Sequence, residues 1–223
     1  MPPFLRLLSI SPQQHIHDTA PRPCYDAGMV ALRKIPFTRM SLDEFLGWDP
    51  GDSSGVKWQL IDGEPVAMAP GSASHGEIQA ELAALLRNHL LGKEPCRAVT
   101  EPGIVPRARA DMNYRVPDIA VTCEAPTRDQ MIHQPVVLIE ILSPSNETET
   151  NANIWAFTTI PSVQEILALH STRIEATLLR RGADGAWPAM PERIGPDGAL
   201  VLHSIGFSTS LRGCYRTTIL AAT

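Results

Sequence analysis

The chain has 223 residues, 43% of them hydrophobic, and a formal net charge of −5. This length and apolar content predict one domain with some extra chain at an end. The negative charge argues against broad, non-specific binding to nucleic acid, although it leaves room for a small basic patch. No apolar run approaches the length of a transmembrane helix, so we expect no membrane partner.

Four cysteines are widely separated along the chain, namely Cys24, Cys96, Cys123 and Cys214. They form no Cys-x-x-Cys pair, which is the usual start of a zinc site. The spacing favours free thiols in a reducing cytoplasm over a disulfide framework. We therefore predict a cytoplasmic protein.

Residues 1–37 differ in composition from the rest of the chain. Five prolines fall among the first 28 residues, and no hydrophobic period is sustained there. This composition predicts a disordered leader. The alternative is that translation starts at Met29 or Met40. In either case we expect a single domain over residues 38–223.

The domain is predicted to begin with a short helix and a hairpin. Ser41 and Glu44 have the spacing of a helix capping box. Asp62-Gly63 separates two strand-like runs and indicates a tight turn. Glu64 follows that turn, where a solvated hairpin residue is the ordinary interpretation.

The longest predicted helix runs from His75 to Leu91. Ile78 and Leu82 begin an apolar series at helical spacing, and a glycine follows the series as a stop. His75 and Gln79 lie one turn apart on a common side. A histidine at this place is usually a polar surface residue, but both side chains would meet substrate if the helix start faced an acidic site.

The remaining predicted elements give a mixed α/β domain with a largely β core. They are strands around residues 97–105, a helix over 146–159, antiparallel strands over 163–170 and 173–180, and a late strand over 199–205.

Two carboxylates are predicted to lie in neighbouring strands. Glu140 interrupts the apolar run Val136–Leu142, which is typical of a strand buried on both faces. Asp118 opens a second apolar strand directly after a proline. Close carboxylates repel unless a proton or a cation joins them, and Mg²⁺ binds one or two such groups readily. A metal site is one interpretation; structural acids paired with Arg115 are the other.

A basic loop precedes Asp118 and holds Arg107, Arg109 and Arg115. These side chains favour either a solvated loop or local attraction of phosphate beside an acidic centre. The sequence leaves both interpretations open.

Several motifs occur together in an order that resembles a known family. They are Leu60-Ile-Asp-Gly-Glu64, Ser74-His75, Val116-Pro-Asp118, Ile139-Glu-Ile-Leu-Ser-Pro-Ser145 and Ile160-Pro-Ser162. Between about Met40 and Leu211 the chain resembles the Uma-two (Uma2) family of restriction-endonuclease-like proteins. That family belongs to the PD-(D/E)XK nuclease superfamily.

The resemblance implies a restriction-endonuclease-like mixed β-sheet flanked by helices. It also implies that Asp118, Glu140 and the backbone carbonyl of Ile141 hold Mg²⁺ or Mn²⁺, and that Glu64 assists catalysis. His75 matches a histidine found at the helix start in the family. The implied partner is nucleic acid, with DNA favoured over RNA, and relatives suggest a homodimer.

The chain departs from the superfamily at the catalytic lysine. Leu142 stands two residues after the glutamate, where the superfamily pattern has lysine. Many relatives carry a lysine on the following helix instead, and Asn153 stands near that position. Together with His75, Gln79 and Arg115, Asn153 is a predicted substrate contact.

Three functions fit these residues. The first is metal-dependent endonuclease activity through Asp118, Glu140 and Glu64. The second is a catalytically silent binding or assembly module, which the missing lysine and the negative charge favour. The third is a two-carboxylate glycosidase, against which the apolar strands around both acids and the lack of a sugar-stacking aromatic cluster count.

Overall fold

A central sheet of six strands carries Glu140 within one strand, and Asp118 directly precedes the neighbouring strand. A computed structural model of the chain describes residues 39–51, 55–129, 131–144 and 147–222. The predicted leader, the start at Met29 and Cys24 lie outside these residues.

The described residues form ten strands, six of them in the central sheet. The strands are β1 (Trp58–Ile61), β2 (Glu64–Ala67), β3 (Arg97–Thr100), β4 (Ile119–Thr122), β5 (Pro135–Leu142), β6 (Glu165–His170), β7 (Ala176–Arg180), β8 (Glu192–Ile194), β9 (Ala199–Leu202) and β10 (Phe207–Ser210). The α-helices are α1 (Leu42–Leu46), α2 (Ala73–Leu90) and α3 (Glu147–Thr158).

The sheet is mixed, with the strand order β3-β4-β5-β6-β7-β8. Strands β5 and β6 are parallel, because α3 carries the chain across between them. The other neighbours pair antiparallel, including β6 and β7. The prediction of a mixed α/β fold is confirmed, as is the antiparallel pairing over residues 163–180.

The two faces of the sheet are covered by different helices. On one face, α2 packs with Ile78, Leu82, Leu86 and Leu90 against β-strand residues such as Ile139. On the other face, Phe157 of α3 packs against Leu138. Because successive strand residues point to opposite faces, the alternation along β5 decides which side chains meet which helix. No helix among the described residues is long and apolar enough to cross a lipid bilayer.

Local sequence signals set the first elements as predicted. The Ser41 side chain accepts a hydrogen bond from the backbone N–H of Glu44, and the Glu44 side chain accepts one from the backbone N–H of Ser41. The predicted capping box of α1 is therefore present. Asp62 and Gly63 join β1 to β2 with φ angles of 50° and 83°. Positive φ at both turn residues explains the Asp-Gly pair, since such turns match the twist of a hairpin.

The predicted free thiols are wrong for two of the cysteines. Cys96 and Cys123 form a disulfide. Strand β3 pairs with β4 so that Arg97 lies opposite Thr122, which brings the residues flanking this pair together. Sequence spacing alone could not reveal this register. Cys214 is free and buried, and burial raises the pKa of its thiol to about 12, so it stays protonated at neutral pH.

Glu165 of β6 is a buried carboxylate with a full set of donors. Its oxygens accept from Arg180 Nε at 2.9 Å, from Ser204 Oγ at 2.6 Å and from the backbone N–H of His203 at 3.0 Å. Burial alone would raise the pKa of this carboxyl, but the hydrogen bonds prevail and lower it below the ordinary value of 4.5. The carboxylate joins the sheet to the segment after β9.

Glu165→Gln is expected to be less stable than the parent at neutral pH, with a difference that narrows in acid. The pKa of the Glu165 carboxyl is lower in the folded state than in the unfolded state. Its contribution to stability is therefore fully present above the unfolded pKa of about 4.5, and it is lost as the pH falls through the folded pKa, which lies below that value. Urea unfolding between pH 3 and 7 measures this difference. Glu192→Gln is the control, because Glu192 contacts the same arginine from an exposed position. A difference that stays constant with pH would contradict the prediction.

Candidate functional site

A cavity of about 260 Å³ lies where the start of α2 meets β4, β5 and α3. Five of the residues predicted from the sequence line it together: Asp118, Glu140, His75, Gln79 and Asn153. They come from α2, from the residue directly before β4, from β5 and from α3. The fold therefore assembles one polar pocket from side chains that are distant in sequence.

Asp118 is held at the floor of this cavity by contacts to both carboxylate oxygens. One oxygen lies 2.9 Å from His75 Nε2, and the other accepts from the backbone N–H of Ile141 at 2.6 Å. The side chain is only 11% exposed. Ser72 caps α2 and accepts from the backbone N–H of His75, which fixes the histidine at the helix start. The carboxylate of Asp118 is thus fixed before any ligand arrives.

Glu140 reaches the same cavity from the face of β5 that α3 covers. Glu140 and Leu138 are two residues apart on β5, so their side chains point to the same face of the sheet, and Leu138 packs on the α3 side. Glu140 Oε1 accepts from Asn153 Nδ2 at 3.1 Å. Asn153 Oδ1 accepts in turn from Arg115 Nη1 at 2.9 Å. Glu140 and Asn153 are both buried, so this chain of hydrogen bonds fixes the second carboxylate.

Glu101 is a lining residue that the sequence analysis missed. Its backbone N–H donates to the carbonyl of Asp118 at 3.0 Å. Gln79 Nε2 donates to that same carbonyl at 3.0 Å and to Glu101 Oε1 at 3.3 Å. Glu101 follows β3 and no local motif marks it. Only the pairing of Thr100 with Ile119 places it beside Asp118.

Three predicted site residues lie outside the cavity lining. Ile141 is buried within β5, where its backbone N–H donates to the Asp118 carboxylate. Glu64 is exposed at the start of β2 and is outside the cavity lining. Arg115 is buried at 5% exposure and lies behind Asn153 rather than in the cavity wall. The basic loop is therefore divided, because Arg107 and Arg109 are exposed while Arg115 faces inward. A single surface patch of these three arginines is not formed.

The position of the superfamily lysine is filled by a core residue. Leu142 is 7% exposed at the end of β5. The cavity lining includes no lysine or arginine among the residues that the structure describes. Any lysine or arginine that acts at the site must therefore reach it from another part of the chain.

The donor chemistry of the cavity fits a hard divalent cation that keeps much of its water. Asp118, directly before β4, and Glu140, on the neighbouring strand β5, offer carboxylate oxygens. Within the described residues, no group of three or more His, Cys, Asp or Glu side chains is arranged to hold a metal. Magnesium often uses only one or two protein carboxylates, with waters and phosphate oxygens completing its shell. Zinc, which requires a closed set of nitrogen and sulfur ligands in structural sites, fits less well.

Comparisons with known proteins agree with this architecture. The family described as "Putative restriction endonuclease", Uma2, matches residues 42–211. An uncharacterized protein of Synechocystis, slr1290, is 31% identical over 184 residues, which cover 81% of this chain and 94% of that protein. The fold is similar to the crystal structure of a "putative nuclease belonging to DUF820" from Anabaena variabilis, with a TM-score of 0.65 and 20% identity, over 79% of this chain and 97% of that one. The match over residues 42–211 and the similarity to slr1290 show that the chain belongs to the Uma2 family of restriction-endonuclease-like proteins.

Proposed function

We propose that this protein is a metal-dependent nuclease that hydrolyses phosphodiester bonds of DNA at the cavity around Asp118 and Glu140. One observation carries the proposal: the carboxylates of Asp118, directly before β4, and of Glu140, on the neighbouring β5, line one cavity, and each is oriented by its own hydrogen bonds. Carboxylates with only a structural role would not need to share an open cavity. Membership of the Uma2 family supports nucleic acid as the substrate.

Asp118 and Glu140 are the residues that would hold Mg²⁺ or Mn²⁺. When bound, such an ion neutralises charge on the phosphate and supplies a water of lowered pKa. His75 and the N–H of Ile141 fix the orientation of Asp118, and Asn153 fixes that of Glu140. The carbonyl of Ile141 as a further ligand and Glu64 as an assisting acid remain predictions, as do the homodimer and the cytoplasmic location.

The competing candidate is a nuclease-fold module that binds without cleaving. Two observations favour it: Leu142 is buried, and the described lining residues include no lysine or arginine. The transition state of phosphodiester hydrolysis develops negative charge, which nearby positive charge stabilises. Asn153 cannot replace a lysine, since its amide is neutral and already bonded on both sides. The two candidates share a metal site but differ in turnover.

The test combines manganese and magnesium titration by calorimetry with a cleavage assay on labelled DNA and RNA. We expect saturable binding of the ion, cleavage of DNA in its presence, and no cleavage after chelation with EDTA. Restoring the ion should restore the rate. Binding without cleavage of either nucleic acid would favour the silent module. No binding of either ion would contradict a metal site altogether.

A further inference from the structure

The wall of the candidate cavity carries more negative charge than the two predicted acids provide. Glu101 joins Asp118 and Glu140 in the lining, while the described lining residues include no lysine or arginine. A phosphodiester is anionic, and like charges at close range in a partly buried site repel strongly. A bound divalent ion offsets part of this charge. A nucleic acid substrate therefore needs another cation at the edge of the cavity.

Lys57 brings a positive charge to that edge. Its Nζ contacts the carboxylate of Glu101. The backbone carbonyl of Lys57 accepts from the N–H of Met68 at 2.8 Å, and Met68 also lines the cavity. The lysine is therefore attached to the wall twice, through its backbone and through its ammonium group.

The carboxylate that receives Lys57 is itself held in position. Glu101 has a φ of 50°, in the left-handed region that a residue with a side chain adopts at a cost. Its N–H bonds to the carbonyl of Asp118, and Gln79 donates to its side chain. The contacts to Asp118 and Gln79 maintain this backbone conformation and tie Glu101 to the acidic centre.

We propose that Lys57, positioned by Glu101, binds a phosphate of the nucleic acid substrate at the cavity. This inference rests on the proposed function and adds to it a binding residue from the segment before β1. An ammonium group has three donors, and Glu101 accepts only part of that capacity. The Lys57 side chain is 56% exposed, so a phosphate oxygen can approach it from solvent.

The test measures the binding of a fluorescently labelled DNA duplex by anisotropy over a range of salt concentrations. Each lysine that neutralises a phosphate adds about 0.9 to the steepness with which log K falls against log[salt]. Lys57→Met is expected to bind more weakly and to have a slope shallower by about 0.9, whereas Lys57→Arg keeps the parent's slope. Lys93→Met is the matched control, since Lys93 is an exposed lysine beyond the end of α2.

A double variant separates direct contact from simple neutralisation of Glu101. In Lys57→Met with Glu101→Gln, the carboxylate that the lysine covers is removed as well. The slope should stay reduced if Lys57 contacts a phosphate. A slope that returns to the parent value in the double variant would overturn the proposal, as would an unchanged slope in Lys57→Met.

Metal binding keeps this proposal distinct from the proposed function. Lys57→Met should still bind manganese saturably in calorimetry and no more weakly than the parent, because Asp118 and Glu140 are unchanged and the variant removes only a positive charge beside Glu101. If the parent protein binds DNA through Lys57 but binds no metal, the proposed metal-dependent nuclease activity is overturned and the inference about Lys57 stands. If the parent protein cleaves DNA but Lys57→Met leaves the slope of log K against log[salt] unchanged, only the inference about Lys57 is overturned. A parent that binds no DNA would overturn both.

Discussion

Replacing Glu140 with glutamine is expected to lower the affinity for Mn²⁺ on the order of 100-fold or more, since even groups that only orient metal ligands contribute about 10–100-fold. The fold should survive the change, because a glutamine oxygen can still accept from Asn153 Nδ2. The isosteric variant thus removes charge while retaining shape. Glu140→Ala would also leave the amide of Asn153 buried without this acceptor.

Calorimetric titration of the variant and the parent measures this decrease in affinity, and thermal unfolding verifies that the variant is folded. Asp118→Asn should lose affinity to a similar degree. Glu64→Gln is the control, because it makes the same glutamate-to-glutamine change outside the cavity lining. We expect this variant to bind manganese with the parent's affinity. Unchanged manganese binding in Glu140→Gln would show that the ion binds elsewhere or that the carboxylate has only a structural role.

Arg115→Met is expected to destabilise the fold by about 3 kcal/mol, because hydrogen bonds from charged groups contribute about 1.5–3 kcal/mol each and the variant removes at least two of them. Arg115 donates to Asn153 at 2.9 Å and to Asn113 at 3.0 Å. Asn113 accepts in turn from the backbone N–H of Asp62 in the hairpin turn. The variant thus removes the buried donor that links Asn153 of α3 to Asn113, the residue that bonds the hairpin turn.

Urea unfolding measures the change, and Arg109→Met provides the control. Arg109 is an exposed arginine of the same loop that pairs with Asp62 at 3.2 Å. Exposed ion pairs contribute about 0–1 kcal/mol, so removing this one should change stability by less than about 1 kcal/mol. Equal destabilisation in the two variants would show that burial of Arg115 contributes nothing.

The elements that local chemistry encodes could be predicted from the sequence. The capping box of Ser41 and Glu44 and the Asp-Gly turn each act within four residues, so the signal and the structure lie together. Asp118 and Glu140 could be singled out as candidates for a related reason. A carboxylate in an apolar strand needs compensation, and the sequence displays that conflict directly.

The contacts that depend on strand register could not be predicted. Glu101 reaches the cavity, and Cys96 reaches Cys123, only because β3 pairs with β4 in one particular register. The burial of Arg115 likewise depends on a long-range contact, its hydrogen bond to Asn153 of α3. No residue type or spacing within these segments specifies the partner, since the free energy that selects the register comes from the packed core as a whole.

The crossover through α3 has a consequence for the protein as it is synthesised. Glu140 emerges from the ribosome before its partner Asn153, and β5 gains its parallel neighbour only when β6 follows. Until then the nascent chain holds Asp118 and Glu140 without the layer that buries and orients the second carboxylate. The acidic pocket is therefore completed only after α3 has been synthesised, and a chain truncated before α3 would carry its acids without a formed site.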